Sequence, residues 1–192
     1  YIGAPDELPA PSNLYWMPLT SVIASAGMSL FNAPSDYGAA QFFFILLIAG
    51  AGILAYRLAL MLDGTLRHAW IAGLLTILGG FFAARWGTMD TFAPYALLGS
   101  LALLFIGLGM SAKRRNGLYW ILAGVFAGLG HLTRSDGLLL VLTAWAVLLF
   151  RFDYLRGNFK ALFRQRFSWL MLVTVFYVLT MTPWFIRNIN VI

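Results

Sequence analysis

The sequence predicts an all-α fold, a polytopic transmembrane helix bundle of about six spans with one additional interfacial helix in an outer loop. Three observations lead there. Of the 192 residues, 61% are apolar and 10% charged, with a mean hydropathy of +0.81, a balance outside the range of soluble domains. The apolar residues gather into runs too long and too many for one buried core. The basic residues fall in the short loops between those runs, which is how membrane topology is encoded. The net charge of +6 therefore marks sidedness and not nucleic-acid binding. With no cysteine, neither a disulfide framework nor a thiolate metal site is available.

Residues 1–36 read as an outer loop. YIGAPDELPAPSNLYWMP carries four prolines and two acids without a helical period, and Tyr15 and Trp16 are amphipathic rings suited to the headgroup level. The apolar run that follows is stopped by Asn32 and Pro34 after about fifteen residues, too short to cross a bilayer, so it is expected to lie in the interface. A chain beginning at Tyr1 with no signal peptide, and ending just after an apolar segment, reads as an internal piece of a longer protein.

Residues 37–192 are expected to form a core of six spans: Tyr37 to Leu62, His68 to Ala84, Thr91 to Ala112, Gly117 to Leu132, Gly137 to Phe152 and Ser168 to Ile186. Ten basic residues (Arg57, Arg67, Lys113, Arg114, Arg115, Arg151, Arg156, Lys160, Arg164, Arg166) fall on one side and three (Arg85, Arg134, Arg187) on the other. The first side is then cytoplasmic. The outer side holds five of the seven acids. The basic, aromatic segment 151–167 is expected to be a cytoplasmic interfacial helix against anionic lipid. Glycine recurs within the spans, and Gly124 with Gly128 gives a small-xxx-small face suited to close helix packing.

The hairpin from Gly117 to Phe150 has 34 residues, whereas two crossings of a ~30 Å layer need about 40. Its tip, with Arg134 and Asp136, is expected below the membrane surface, where ionisable groups face protein or a water-filled cavity. Either these residues form a site, or Ser135 or Asp136 caps the next helix while Arg134 pairs with it. Asp90 opens a span, as a site carboxylate or as a cap. His131, three residues before Arg134, is expected on roughly the same helical face, and is either a ligand-binding group or a hydrogen-bonded packing residue. Trp184 is either a belt residue or a sugar-stacking platform. Arginines beside carboxylates at one boundary suit an anionic, phosphate-bearing ligand, and the carboxylates suit a divalent cation. No P-loop, G-x-G-x-x-G, G-x-S-x-G or H-E-x-x-H motif is present.

The order PxxxYWMPL, FxxPS, GTMDTFAPYALLGSLALL, AGVFAGLGHLTRSDGLLL and LTMTPWFIRN resembles the GT-C type of membrane glycosyltransferases, most of all the bacterial branch similar to protein O-mannosyltransferases and the aminoarabinose transferase of lipid A. The resemblance runs along essentially the whole chain. It implies transfer of a sugar from a polyprenyl-phosphate donor to an acceptor at the non-cytoplasmic face, with the catalytic aspartate upstream of Tyr1. It further implies that Asp90 is the second outer acid, in a catalytic or metal-binding role, and that Arg134, Asp136 and Arg187 belong to the substrate site with Trp184, Tyr15 and Trp16. Pro9 and Ala10 stand where one branch has an acid and a lysine; Glu7 is the candidate substitute. Two other classes stay open: a non-catalytic GT-C-like scaffold within a larger membrane complex, and a transporter, which would show interrupted helices in two corresponding halves.

Overall fold

Helices form where the apolar runs lie, and their ends follow from short-range hydrogen bonding. The structure is a computed structural model and describes residues 17–79, 87–111, 116–150 and 159–191. Seven α-helices and no strand occur among them: α1 (Leu19–Leu30), α2 (Tyr37–Met61), α3 (Leu66–Leu78), α4 (Phe92–Ser111), α5 (Asn116–His131), α6 (Leu138–Phe150) and α7 (Phe159–Val191). The stretch carrying Glu7, Tyr15 and Trp16 lies outside the described residues.

Asp36 starts α2 by accepting the Ala39 N–H at 3.0 Å, a side-chain cap on an otherwise orphan donor. Thr65 starts α3 through a reciprocal capping box with His68, so this helix opens at Leu66 and not at His68. α5 and α6 are joined by a turn that includes one 3-10 segment, Ser135–Gly137. No side chain caps that segment, whose N-cap is Arg134. The basic stretch ahead of the last span is not a separate interfacial helix from Phe159 onward: α7 runs unbroken through it, because neither glycine nor proline occurs between Phe159 and Thr182 to stop a helix.

Tyr37–Met61, Phe92–Ser111 and Arg164–Asn190 are long and apolar enough to cross a membrane; α1, α3, α5 and the segment Ser135–Phe150 are apolar but shorter. Only 22%, 39% and 11% of the three long spans is buried inside the protein. The rest of their apolar surface faces outward, as in a membrane protein.

The helices pack in the order α3–α2–α4–α5–α7, with α6 against α4, α5 and α7, and α1 on α2. The main core, Ile106, Trp120, Ala123, Ala144, Leu148 and Val173, draws on α4 to α7. A second layer of Ala102, Ala127, Leu140 and Val141 carries those four helices toward the α5–α6 turn. Close approach of α5 and α7 rests on glycine: a Cβ on Gly124 would stand 2.4 Å from the Val173 carbonyl oxygen, and one on Gly128 2.7 Å from Thr180 Cβ. Bare backbone is what lets two helices meet at this distance.

Gly124→Ala is expected to lower the thermal stability of the detergent-solubilised protein by about 1–3 kcal/mol, the usual cost of overpacking. Gly107→Ala, whose Cβ meets nothing within 4 Å, is expected to leave stability equal or raise it through helix propensity. Thermal unfolding of the two variants side by side checks this.

Candidate functional site

At the end of the bundle where α5 turns into α6, the chain brings charges from two segments together. α5 closes with Leu132 N–H on the Gly128 carbonyl at 2.9 Å and with both Thr133 and Arg134 N–H on the Gly130 carbonyl at 3.1 Å. The Thr133 hydroxyl, almost fully buried, donates to the same carbonyl at 2.6 Å. Arg134 then leaves the helix in an extended conformation (φ −147°, ψ 138°). The turn folds back so tightly that a Cβ on Gly137 would lie 2.4 Å from His131 Cα. Only glycine fits there, which fixes where Asp136 stands.

The Arg134 guanidinium is gripped on several sides. Its Nε donates to Asp136 Oδ1 at 3.0 Å and its Nη2 to Oδ2 at 3.2 Å, the two-pronged geometry that suits a guanidinium and a carboxylate. Its Nη1 donates to Thr91 Oγ1 at 3.3 Å. The guanidinium carbon lies 5.4 Å from the Phe92 ring centroid and 5.7 Å from that of Tyr95, within cation–π range of both. Asp90 Oδ1 accepts the Thr91 N–H at 2.6 Å and the Thr91 hydroxyl at 3.3 Å, so Thr91 links Asp90 to Arg134. The Gln41 side-chain amide donates to the Gly87 carbonyl and ties the 87–90 turn to α2. Leu19 N–H donates to the Leu132 carbonyl at 2.9 Å, which docks the start of α1 on the same tip.

The sequence-predicted residues Asp90, Arg134 and Asp136 are therefore neighbours. Asp90 uses its carboxylate on Thr91, in part as a helix-opening group. Of the five guanidinium N–H donors, three are engaged by described residues, one from Nε and one from each terminal nitrogen. His131 does not share a helical face with Arg134, because α5 ends at His131 and the register is lost beyond it. Instead its Nδ1 lies 2.5 Å from the Tyr177 hydroxyl, the arrangement of a hydrogen-bonded packing residue joining α5 to α7.

Arg187 stands apart. It follows Tyr177 by ten residues, about 15 Å further along α7; it is exposed, with Nη1 3.5 Å from Asn188 Oδ1. Trp184 packs against Phe185 at 5.2 Å. Among the described residues no group of three or more His, Asp or Glu side chains stands together. The sequence reading missed Thr91, Phe92, Tyr95 and Tyr177. The 91/95 spacing, one helical turn behind Asp90, is the only signal that pointed to two of them.

No family model matches this sequence, and no curated protein or solved structure matches it.

The hydrogen bonds from Arg134 hold the Asp136 carboxyl below the usual carboxylate range, and Asp136 in turn raises Arg134. The sign follows from a depressed folded-state pKa. The stabilisation is complete above the ordinary carboxylate value of about 3.9 and is lost as pH falls through the lower folded-state value. The melting temperature is expected to drop on acidification below about pH 4, and in Asp136→Asn that drop is expected to shrink. Equal acid sensitivity of the two proteins, in melts from neutral to acid pH, would remove the ion pair from the account.

Proposed function

We propose that this chain is the core of an integral-membrane glycosyltransferase that takes a sugar from a polyprenyl-phosphate donor and passes it to an acceptor on the non-cytoplasmic side. Six crossings with the Arg134 tip outward follow from the distribution of basic residues, ten against three, under the rule that cytoplasmic loops collect them. The observation that carries the reading is the Arg134 arrangement: a guanidinium oriented by Asp136, Thr91 and two aromatic faces, beside a carboxylate at the head of α4.

In the proposed reaction an acceptor hydroxyl attacks the anomeric carbon while the bond from that carbon to the phosphate oxygen breaks. The polyprenyl phosphate leaves with the electron pair, and the hydroxyl proton passes to a carboxylate. Arg134 would stabilise charge growing on the leaving phosphate, the term that preorganised donors supply best. Asp90 would orient the acceptor or a divalent cation, and the base would be the aspartate that the GT-C resemblance puts upstream of Tyr1. Arg187 and Trp184 would meet the lipid-borne part of the donor, one to two helical turns further out.

A non-catalytic scaffold is the second reading, and the ion pair itself favours it. Arg134 and Asp136 together lock the α5–α6 turn without any ligand. One experiment separates the two. In membranes carrying the protein with whatever precedes Tyr1, Arg134→Ala and Asp90→Asn are each expected to reduce transfer from a polyprenyl-phosphate sugar by about 10²–10³-fold, with donor still extractable from the same membranes. Transfer within a few-fold of wild type, together with a lowered melting temperature, selects the scaffold.

A further inference from the structure

The opposite end of the bundle carries a second candidate surface. α2 and α3 cross at Gly52 and Gly73, where the Gly73 carbonyl oxygen lies 3.3 Å from the position of a Gly52 Cβ. One turn beyond that crossing, Tyr56 and Trp70 meet edge to face, with centroids 5.4 Å apart at 69°. Trp70 is 58% exposed. At about 100° per residue, Arg57 is turned from Tyr56 away from α3, and Arg67 is turned from the Gly73 contact beyond Trp70. The helices are antiparallel, so both rotations lead to the same face of the pair. Two exposed guanidiniums therefore flank an aromatic couple of which Tyr56 is half-buried and Trp70 exposed.

Neither Arg57 nor Arg67 makes an ion pair or hydrogen bond with a described residue. Asp63, the acid of the connecting turn, engages neither. The level of this surface is set by α2. Tyr37, itself 53% exposed, opens the helix nineteen residues before Tyr56, about 28 Å away along the axis. A hydrocarbon layer is about 30 Å thick, and aromatic rings concentrate at its two boundaries. With Tyr37 at one boundary, Tyr56 and Trp70 fall at the other, and the two arginines reach the phosphate level beside them.

We propose that Arg57 and Arg67, with Tyr56 and Trp70 between them, form a binding site for the headgroup of an anionic phospholipid. Guanidinium is weakly hydrated and presents a planar donor fork that matches phosphate. Basic residues at a bilayer surface each add attraction to anionic lipid, and two side by side distinguish it from a zwitterionic headgroup. The rings seat against the glycerol and upper acyl region. The surface is independent of the Arg134 tip and does not need the transferase reading to hold.

The test is native mass spectrometry of the detergent-purified protein with added dioleoylphosphatidylglycerol or dioleoylphosphatidylcholine. The wild-type protein is expected to retain phosphatidylglycerol in preference. Arg57→Gln/Arg67→Gln is expected to lose about tenfold in that preference, and Ser25→Glu/Ser29→Glu, which lowers the net charge by the same two units from exposed positions on α1, to keep it. All four side chains are exposed and lie outside the described cores, and matched melting temperatures confirm folding. An unchanged preference in Arg57→Gln/Arg67→Gln overturns the site. An equal loss in the α1 pair overturns it as well, because the attraction would then follow net charge and not this face.

Discussion

The fold is governed at the end that carries the α5–α6 turn by a mismatch of helix lengths. α5 and α6 have 16 and 13 residues, rising about 24 and 20 Å, while α7 beside them has 33 and rises about 50 Å. α5 and α7 are held at contact distance by Gly124 and Gly128, and the His131–Tyr177 hydrogen bond fixes their relative height. The α5–α6 turn therefore stops well short of the end of α7. In the proposed topology that leaves Arg134 and Asp136 below the headgroup level, where an ion without partners is costly.

The local geometry answers that constraint. The positive charge is matched by Asp136 two residues on, in a two-pronged contact, and its remaining surroundings are a hydroxyl and the π faces of Phe92 and Tyr95. A guanidinium tolerates this setting because its charge is spread over a plane that stacks on rings and donates at its edge. The arrangement also couples segments distant in sequence. Asp90 and Thr91 at the head of α4 and Arg134 at the tail of α5 share hydrogen bonds through one threonine hydroxyl. Gln41 and Leu19 fasten α2 and α1 to the same end.

Most of the helices were legible in the sequence because an apolar run bounded by a capping residue is a local signal. Asp36 and Thr65 mark starts, and Gly137 marks a turn too tight for a Cβ. Helix length was less legible. Charge in the stretch before Ser168 suggested a break, but a break needs glycine, proline or a competing side chain, and charge alone supplies none of these. Asp90, Arg134 and Asp136 stood out because ionised groups are rare in such a chain. Thr91, Phe92 and Tyr95 did not, since a threonine and two aromatics at a helix start are ordinary composition. Their importance arises only when the α5–α6 turn is laid across them. Arg187 was grouped with the others by sidedness, which assigns a side but not a height.

Height decides which groups can act together. If the chain acts on a sugar phosphate carried by a polyprenyl chain, that phosphate would reach it near the headgroup level. The proposed transferase would then present the Arg134 guanidinium at the short α5–α6 turn to that phosphate, and the end of α7 to the surface. The two arginines that the sequence treats alike thus differ in setting: Arg187 is exposed near the end of α7, and only Arg134 is linked, through Thr91, to a carboxylate at a helix head. If the chain acts on a lipid-borne phosphate, the distinction assigns the reacting centre to α4 and the α5–α6 turn, and leaves the exposed end of α7 to the approach of the lipid.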